Sequence, residues 1–212
     1  MTTWAILPVK RLDEAKSSLS VALSSEQRQE LVFSMLADML STLREAPSIN
    51  GTIVVSPSEE ILKFAMAMGA EAIKDPGFEL NQAFKFAISQ AVSKGATSVL
   101  LMPSDLAFLK TYDIENMISM ATSDREVVIA PSKDNGTNAL LLRPPDIIEL
   151  RFGGESFPLH LEEARRAGVV PRIYRSFTVA IDIDEPADLF KIENYIFGSS
   201  TRKLLRSLKQ SG

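Results

Sequence analysis

The sequence predicts a single α/β domain spanning residues 1–212, in which a mainly parallel mixed sheet is flanked by helices. Short apolar runs alternate with segments of helical periodicity, a pattern typical of βαβ units. No internal repeat, low-complexity tract or linker divides the chain. A chain of 212 residues that is 45% hydrophobic can bury one sizeable core, so one domain is expected.

The first half of the chain is predicted to contain three strands and two helices. Ser24 and Gln27 have the spacing of a capping box, and Leu and Met side chains recur behind them at helical spacing, which predicts a long helix with a buried stripe. Ser58 and Gly69 mark the start and the end of a second helix. The apolar runs that predict strands are residues 4–9, 49–55 and 71–73.

The second half is predicted to contain four strands, two of them too close together for a helical crossover. Only a few turn residues separate 126–131 from 138–142, so we expect these two strands to be antiparallel or splayed. The predicted strands are residues 99–102, 126–131, 138–142 and 177–183. The predicted helices are 113–121, 157–167, one that ends near Gly95 and one that starts at Pro186.

The composition argues against several functional classes. The formal net charge is -4 and no basic cluster stands out, which argues against nucleic acid as the main partner. The chain has no Cys and one His, His160, which excludes thiolate zinc sites and sites built from several imidazoles. No apolar run approaches the ~18 residues that span a bilayer, and the first residues lack the pattern of a signal peptide. We therefore expect a cytoplasmic enzyme or binding domain with no membrane partner.

Acidic residues follow two of the predicted strands. Asp105 comes shortly after the run 99–102, and Asp182 and Asp184 lie at the end of the run 177–183. Ligands of open α/β sheets bind at the carboxyl ends of the strands, and strand residues two apart point to the same side. A lone Asp after a strand more often caps the next helix, but three carboxylates at one edge are costly unless a cation neutralises them. Mg²⁺, which prefers oxygen ligands and phosphates, is the expected cation.

Two segments are candidates for binding anions. The loop after the first strand carries Lys10 and Lys16, which suit a polyphosphate, although a solvated basic loop with acidic neighbours is an equally good interpretation. Gly153, Gly154 and Ser156 precede a helix, where free N–H groups and the helix dipole favour a small anion. Ser156 is also expected to be the N-cap of that helix.

Three further polar residues are candidates for the site. One has an open role, and the other two have two interpretations each. Thr137 follows a turn and offers a hydroxyl beside the strand ends. Asn81 is interpreted from local signals as a capping residue, with donation to a ligand as the alternative. His160 is interpreted as a polar residue that faces the core, with donation to the same anion as Ser156 as the alternative.

Six segments, taken together, resemble one known family. They are Pro8-Val-Lys10 with Ala15-Lys16-Ser17, Glu79-Leu-Asn81-x-Ala83, Pro103-Ser-Asp105-Leu106, Gly136-Thr-Asn-Ala-Leu140, Phe152-Gly with Ser156-Phe and His160, and Asp182-Ile-Asp184-Glu-Pro-x-Asp-Leu189. In this order they resemble the 2-phospho-L-lactate guanylyltransferase family, which acts in the biosynthesis of the deazaflavin coenzyme F-420. The resemblance covers nearly the whole chain, and the fourth and fifth segments are the specific ones.

The resemblance implies a fold, two substrates and a set of site residues. The fold is a nucleotidyltransferase fold related to the glycosyltransferase-A type, and GTP and Mg²⁺ are used to guanylylate 2-phospho-L-lactate or, in some members, phosphoenolpyruvate. By resemblance, the metal ligands are Asp105, Asp182 and Asp184, the acid is bound by Thr137, Gly153 and Ser156, the nucleotide by Lys10, Lys16 and Asn81, and Lys10, Lys16 and Asp105 are catalytic. Two departures concern Ala107, where the family often has Pro, and Ser18, where a basic residue is common.

Other functions stay open at this stage. A different nucleotidyltransferase, or a glycosyltransferase with an Asp-x-Asp metal site, would share the scaffold. A non-catalytic regulator would bind a nucleotide without releasing pyrophosphate. For the guanylyltransferase we expect a single displacement without a general base, because the phosphate oxygen of the acid is already anionic. The sequence also leaves a homodimer open.

Overall fold

The computed structural model describes residues 1–12, 16–77, 79–189 and 199–210. The strands among them are β1 (Thr3–Pro8), β2 (Ile49–Ser56), β3 (Glu71–Lys74), β4 (Ser98–Leu101), β5 (Glu126–Pro131), β6 (Thr137–Arg143) and β7 (Arg172–Ile173). The helices are α1 (Ser25–Glu45), α2 (Glu59–Ala67), α3 (Leu80–Ser93), α4 (Thr111–Met120), α5 (Ser156–Arg166), α6 (Phe177–Ala180) and α7 (Ser200–Gln210), with a 3-10 helix at Ser17–Val21. None of the helices in the described ranges is long and apolar enough to cross a membrane.

The described strands form one mixed sheet in the order β3-β2-β1-β4-β6-β5-β7. The first four strands of that order are parallel, and β6 runs antiparallel to β4 on one side and to β5 on the other. The α/β fold and the antiparallel pair predicted from residues 126–131 and 138–142 are therefore confirmed. The reversal brings the start of β6 to the edge where β1 and β4 end, and this edge carries the site described below.

Helices cover both faces of the sheet, as the alternating burial of β1 requires. Ala5 and Leu7 pack with α1, α2 and α4, whereas Trp4 and Ile6 pack with α3 and α5. The predicted capping box opens α1, where the Ser24 backbone N–H donates to Gln27 at 2.8 Å. The Leu and Met stripe behind it is buried in the core, as predicted.

The C-terminal helix α7 is fixed to α1 by one carboxylate. Asp38 of α1 accepts hydrogen bonds from the backbone N–H groups of Ser200 and Thr201, at 2.7 and 2.9 Å, and from the Thr201 hydroxyl at 2.6 Å. These donors belong to the first turn of α7, whose N–H groups have no partner within the helix. Leu205 then packs with Leu31 and Met35 of α1, so this segment forms part of a third apolar cluster.

The strand predicted for residues 177–183 is wrong, because this segment begins with the short helix α6 and continues without regular structure. The cause is a buried carboxylate outside the segment. Asp113 of α4 accepts hydrogen bonds from Tyr174 at 2.8 Å and from Ser176 and Thr178 at 2.7 Å each. Because all three hydroxyls donate to the same carboxylate, the backbone that carries them turns instead of running extended. The apolar content of the segment cannot predict this turn.

Candidate active site

A pocket of about 510 Å³ lies at the edge where β1 and β4 end. Ile6 of β1 is paired with Leu101 of β4, so the loops that follow these strands leave the sheet side by side. The position matches the rule for open α/β sheets, in which ligands bind beyond the carboxyl ends of the strands. The predicted site residues that line this pocket are Lys10, Lys16, Asp105, Thr137, Gly153, Ser156, Asp182 and Asp184.

Lys16 joins the acidic residues of the pocket. Its ammonium lies 2.5 Å from Oδ2 of Asp105 and 2.9 Å from Oδ1 of Asp184, and its side chain is 9% exposed. Burial acts to lower the pKa of Lys16, but the charges of Asp105 and Asp184 outweigh it and the pKa is raised. Lys16 is therefore a cation at neutral pH, placed between the carboxylates predicted to hold a metal.

Asp182 is the least compensated of the three carboxylates. Within the described part of the chain, its buried Oδ1 atom has no hydrogen-bond partner, and the same holds for Oδ1 of Asp105. Desolvation, and then repulsion from Asp105 and Asp184, raise the pKa of Asp182 to about 6. A carboxylate in this state favours an incoming cation, because the cation removes both the repulsion and the unmet hydrogen-bonding demand.

The predicted metal site is not preformed. Within the part of the chain that the structure describes, no three side chains of Asp, Glu, His or Cys are grouped so that they could hold a metal ion. The ammonium of Lys16 takes the position between Asp105 and Asp184 instead. The chemistry of the donors nevertheless fits Mg²⁺, since Asp105 and Asp182 each present an orphaned carboxylate oxygen. The assignment of Asp105, Asp182 and Asp184 to a metal stays a prediction.

Asp188 holds the acidic loop in place. Its carboxylate, 1% exposed, accepts hydrogen bonds from the backbone N–H groups of Asp184 at 3.2 Å and Glu185 at 2.9 Å. Lys133, which follows β5, donates to the same carboxylate at 3.2 Å. Asp188 therefore serves the start of the helix predicted at Pro186, and residues 186–189 are helical. Lys133 was not predicted from the sequence, and only its position just after a strand at this edge could have suggested it.

Ser18 supports the same loop from the other side. Its hydroxyl donates to the backbone carbonyl of Asp184 at 2.5 Å. The short side chain at this position therefore holds the backbone of Asp184, whose carboxylate contacts Lys16. The departure from the family pattern has a structural use here.

The loop before α5 also lines the pocket. Gly153 has φ of 122° and Gly154 has φ of 41°, backbone conformations that residues with a Cβ rarely adopt. Ser156 is 2% exposed and is the first residue of α5. The prediction that Ser156 is the N-cap is wrong, because Glu155 occupies that position and the helix starts one residue earlier than the local signal indicated. Its hydroxyl is thus not used for capping.

His160 links this loop to Thr137. The ring is 0% exposed, with Nδ1 2.9 Å from the Thr137 hydroxyl and Nε2 accepting the backbone N–H of Arg151 at 3.0 Å. Phe152 packs edge-on against the ring, with centroids 4.8 Å apart. Desolvation, only partly offset by the charge of Glu163, lowers the pKa of His160 to about 4. The expectation of a buried, core-facing histidine is confirmed.

Asn81 serves the same loop from α3. Its side-chain amide donates to the carbonyl of Phe152 at 2.9 Å and accepts the Phe152 N–H at 2.8 Å. The capping role expected for Asn81 is wrong, because Glu79 is the N-cap of α3 and the partner of Asn81 lies 71 residues away. Its contact with the nucleotide stays a prediction. In the structure Asn81 shapes the wall that carries Gly153.

The pocket thus combines Lys16 and its carboxylate partners with a loop rich in hydrogen-bond donors.

A profile of the family described as "Guanylyl transferase CofC like" matches residues 3–211. The chain belongs to this family. A curated member from Sphaerobacter thermophilus, named phosphoenolpyruvate guanylyltransferase, is 39% identical over 196 residues, which are 92% of this chain and 94% of that protein. A member from Methanocaldococcus jannaschii, named 2-phospho-L-lactate guanylyltransferase, is 36% identical over 206 residues, 96% of this chain and 88% of that protein.

A solved structure supports the fold assignment. A protein from Desulfovibrio desulfuricans G20, described as a nucleotide-diphospho-sugar transferase, superposes with a TM-score of 0.81. The match covers 99% of this chain and 96% of that one, at 21% sequence identity. The predicted nucleotidyltransferase fold is therefore confirmed, and membership of the CofC family identifies the chain as a guanylyltransferase-type enzyme.

Proposed function

We propose that this enzyme transfers the guanylyl group of GTP to 2-phospho-L-lactate and releases pyrophosphate, as a step in coenzyme F-420 biosynthesis. The observation that carries the proposal is a single pocket in which Lys16 lies between Asp105 and Asp184 and which Thr137 and Ser156 also line. One side suits a polyphosphate, and the other suits a small acid. Phosphoenolpyruvate is a second candidate acceptor, because the Sphaerobacter relative, at 39% identity, bears that name.

The reaction is a single displacement at phosphorus. A phosphate oxygen of the acid forms a bond to the α-phosphorus of GTP, and the bond from that phosphorus to the bridging oxygen of the β-phosphate breaks. The electron pair leaves with pyrophosphate. The attacking oxygen is already anionic, so the protein has no proton to remove and supplies alignment and charge neutralisation.

Lys10 and Lys16 neutralise the triphosphate in this proposal. Lys10 is exposed at the mouth of the pocket and Lys16 is buried in it, so together they offer charge at two depths. A triphosphate carries more negative charge than Asp105 and Asp184 together, and we expect it to draw the Lys16 ammonium away from them. Mg²⁺ held by the carboxylates of Asp105, Asp182 and Asp184 would supply further charge neutralisation at the phosphates.

Thr137, Gly153 and Ser156 hold the acid. Gly153 brings backbone close to the ligand because it lacks a side chain, and the start of α5 adds its dipole. A carboxylate and a phosphate attached to the same carbon present several acceptor oxygens within a small volume, which suits a wall of hydroxyl and N–H donors. An enzyme that consumes GTP and such a metabolite would work in the cytoplasm.

The test is pyrophosphate release with each nucleoside triphosphate against a panel of three-carbon phospho-acids, with the product identified by mass spectrometry. We expect release with GTP and 2-phospho-L-lactate, and loss of it in Lys16→Met. Lys85→Met is the matched control, because Lys85 pairs with Glu149 at 2.6 Å on the surface outside the pocket. If the protein binds GTP but releases no pyrophosphate from it with any acid of the panel, the protein is a nucleotide-binding regulator and the proposal is overturned.

A stereochemical measurement tests the single displacement. GTP with a chiral α-thiophosphate should give a product of inverted configuration at phosphorus. Retention would imply two displacements through a guanylyl-enzyme intermediate, and the single-step scheme would then have to be abandoned.

A further inference from the structure

His160 connects the two parts of the proposed acid site through its two ring nitrogens. Nδ1 contacts the hydroxyl of Thr137 at the start of β6, and Nε2 contacts the backbone N–H of Arg151, two residues before Gly153. The ring itself is fully buried and does not line the pocket. His160 therefore acts on a ligand only through the groups it holds.

The protons on this ring follow from its partners. A backbone N–H can only donate, so Nε2 of His160 must present a lone pair toward Arg151. A neutral imidazole with Nε2 as acceptor carries its proton on Nδ1. The 2.9 Å contact is therefore a hydrogen bond donated by Nδ1–H to the oxygen of Thr137. Burial, which lowers the pKa of His160, keeps the ring in this form at neutral pH.

The hydroxyl of Thr137 keeps an O–H that needs an acceptor. Its oxygen accepts from His160, so its own proton is directed elsewhere, and among the described residues the structure gives it no acceptor. Thr137 is 6% exposed and lines the pocket. We propose that His160 is a positioning residue that fixes the Thr137 hydroxyl as a hydrogen-bond donor to an unprotonated oxygen of the phosphorylated acid. This inference rests on the proposed function of the pocket.

The arrangement sets a requirement on the substrate. A hydroxyl free to rotate can point its proton in many directions, whereas one that accepts from a fixed imidazole has its O–H confined to the directions that remain, and that O–H needs an acceptor. An acid that presents an anionic oxygen at this point gains a charge-assisted hydrogen bond. A ligand that presents a methyl group or a donor there leaves the Thr137 proton unpaired.

Two substitutions of His160 separate its two hydrogen bonds. The amide nitrogen of Asn lies as many bonds from Cβ as Nδ1 does, so His160→Asn keeps a donor toward Thr137. The amide oxygen of Gln reaches the position of Nε2, so His160→Gln keeps the acceptor for Arg151 and removes the donor. Thr137→Val removes the hydroxyl at nearly constant shape.

We expect Thr137→Val and His160→Gln each to raise the KM for 2-phospho-L-lactate by on the order of tenfold, with the KM for GTP changed less than about twofold. His160→Asn should stay closer to the wild type than His160→Gln. In the double variant, His160→Gln should add nothing to the effect of Thr137→Val, because its influence passes through that hydroxyl. Additive effects in this cycle, or equal effects on both substrates, would overturn the inference.

A control and a spectroscopic measurement complete the test. Thr3→Val removes another buried hydroxyl, paired with Ser98 at 2.7 Å at the opposite end of the sheet, and should lower the melting temperature without changing either KM. The ¹⁵N chemical shifts of the one histidine report its tautomer without any substitution, and a ring protonated at Nε2 rather than Nδ1 would overturn the inference even if the variants fail to fold. A wild type that releases no pyrophosphate would overturn the proposed function instead, and the tautomer measurement would still apply.

Discussion

The buried histidine should make the stability of this protein depend on pH in a defined window. The pKa of His160 falls from 6.5 to about 4 on folding. Glu163 acts to raise it and Arg151 to lower it, but loss of water around the ring is the largest cause. Between these two values the unfolded chain binds a proton that the folded chain does not, so the free energy of unfolding falls as the solution is acidified.

The size of the effect follows from the pKa difference. Each pKa unit corresponds to about 1.4 kcal/mol, so the passage from 6.5 to about 4 is worth about 3 kcal/mol. This contribution is fully present above pH 6.5 and is lost as the pH falls to about 4, below which His160 causes no further loss. Asp182, whose pKa is raised to about 6, also titrates in this range and acts with the opposite sign.

Urea unfolding of the wild type and of His160→Gln from pH 4 to pH 8 isolates this term, since the other groups cancel in the difference. We expect the stability advantage of the wild type over the variant to shrink by about 3 kcal/mol between pH 7 and pH 4. The chain contains one histidine, so its imidazole resonances also give the pKa directly by NMR. A measured pKa of 6 or above, or a difference independent of pH, would refute the reasoning.

Three further predictions follow from the surroundings of the pocket. Asp182→Asn should raise the free energy of unfolding of the metal-free protein by about 1.5 kcal/mol at pH 8 and not at pH 4. This is half of what the pKa of about 6 alone implies, because the side chain is partly exposed. Urea unfolding in EDTA at both pH values measures the effect, and an equal effect at both would contradict the prediction. Asp113→Ala should cost about 3 kcal/mol in thermal or chemical unfolding, because three half-buried hydroxyls lose their acceptor. A loss below about 1 kcal/mol would show that they re-pair. Ser156→Ala should raise the KM for 2-phospho-L-lactate more than the KM for GTP in steady-state kinetics, and a larger effect on the KM for GTP would place the acid elsewhere. The melting temperature should not change, since Glu155 is the N-cap.

The fold was predictable from the sequence where local signals and burial agree. The run at 99–102 is a strand because its side chains are buried on both faces, and Ser24 with Gln27 forms the capping box that their spacing indicates. The run at 177–183 is also mostly apolar, yet it starts as a helix because Asp113, about 65 residues earlier, accepts hydrogen bonds from the hydroxyls around it. A contact at that separation leaves no periodicity in the sequence.

The sequence was enough to predict which residues of the candidate site lie together, but not which group each of them contacts. Asp105 and Asp184 lie in one pocket as expected, but the cation between them is Lys16, which the sequence placed at the phosphates. Asn81 and Ser156 both carry side chains favoured at helix starts, so local propensity assigned them capping roles. Their actual neighbours are set by the packing of α3 and α5 around the loop at Gly153.

The ammonium of Lys16 gives the ligand-free protein an internal counterion. Under the proposed function, substrate binding at this site would resemble ion exchange, in which Asp105 and Asp184 give up the Lys16 ammonium and the phosphates of the nucleotide receive it. Such an exchange grades ligands by their charge, because a nucleotide without the γ-phosphate offers Lys16 less in return for leaving Asp105 and Asp184. The pocket would discriminate between GTP and GDP through a lysine that need not touch the γ-phosphate.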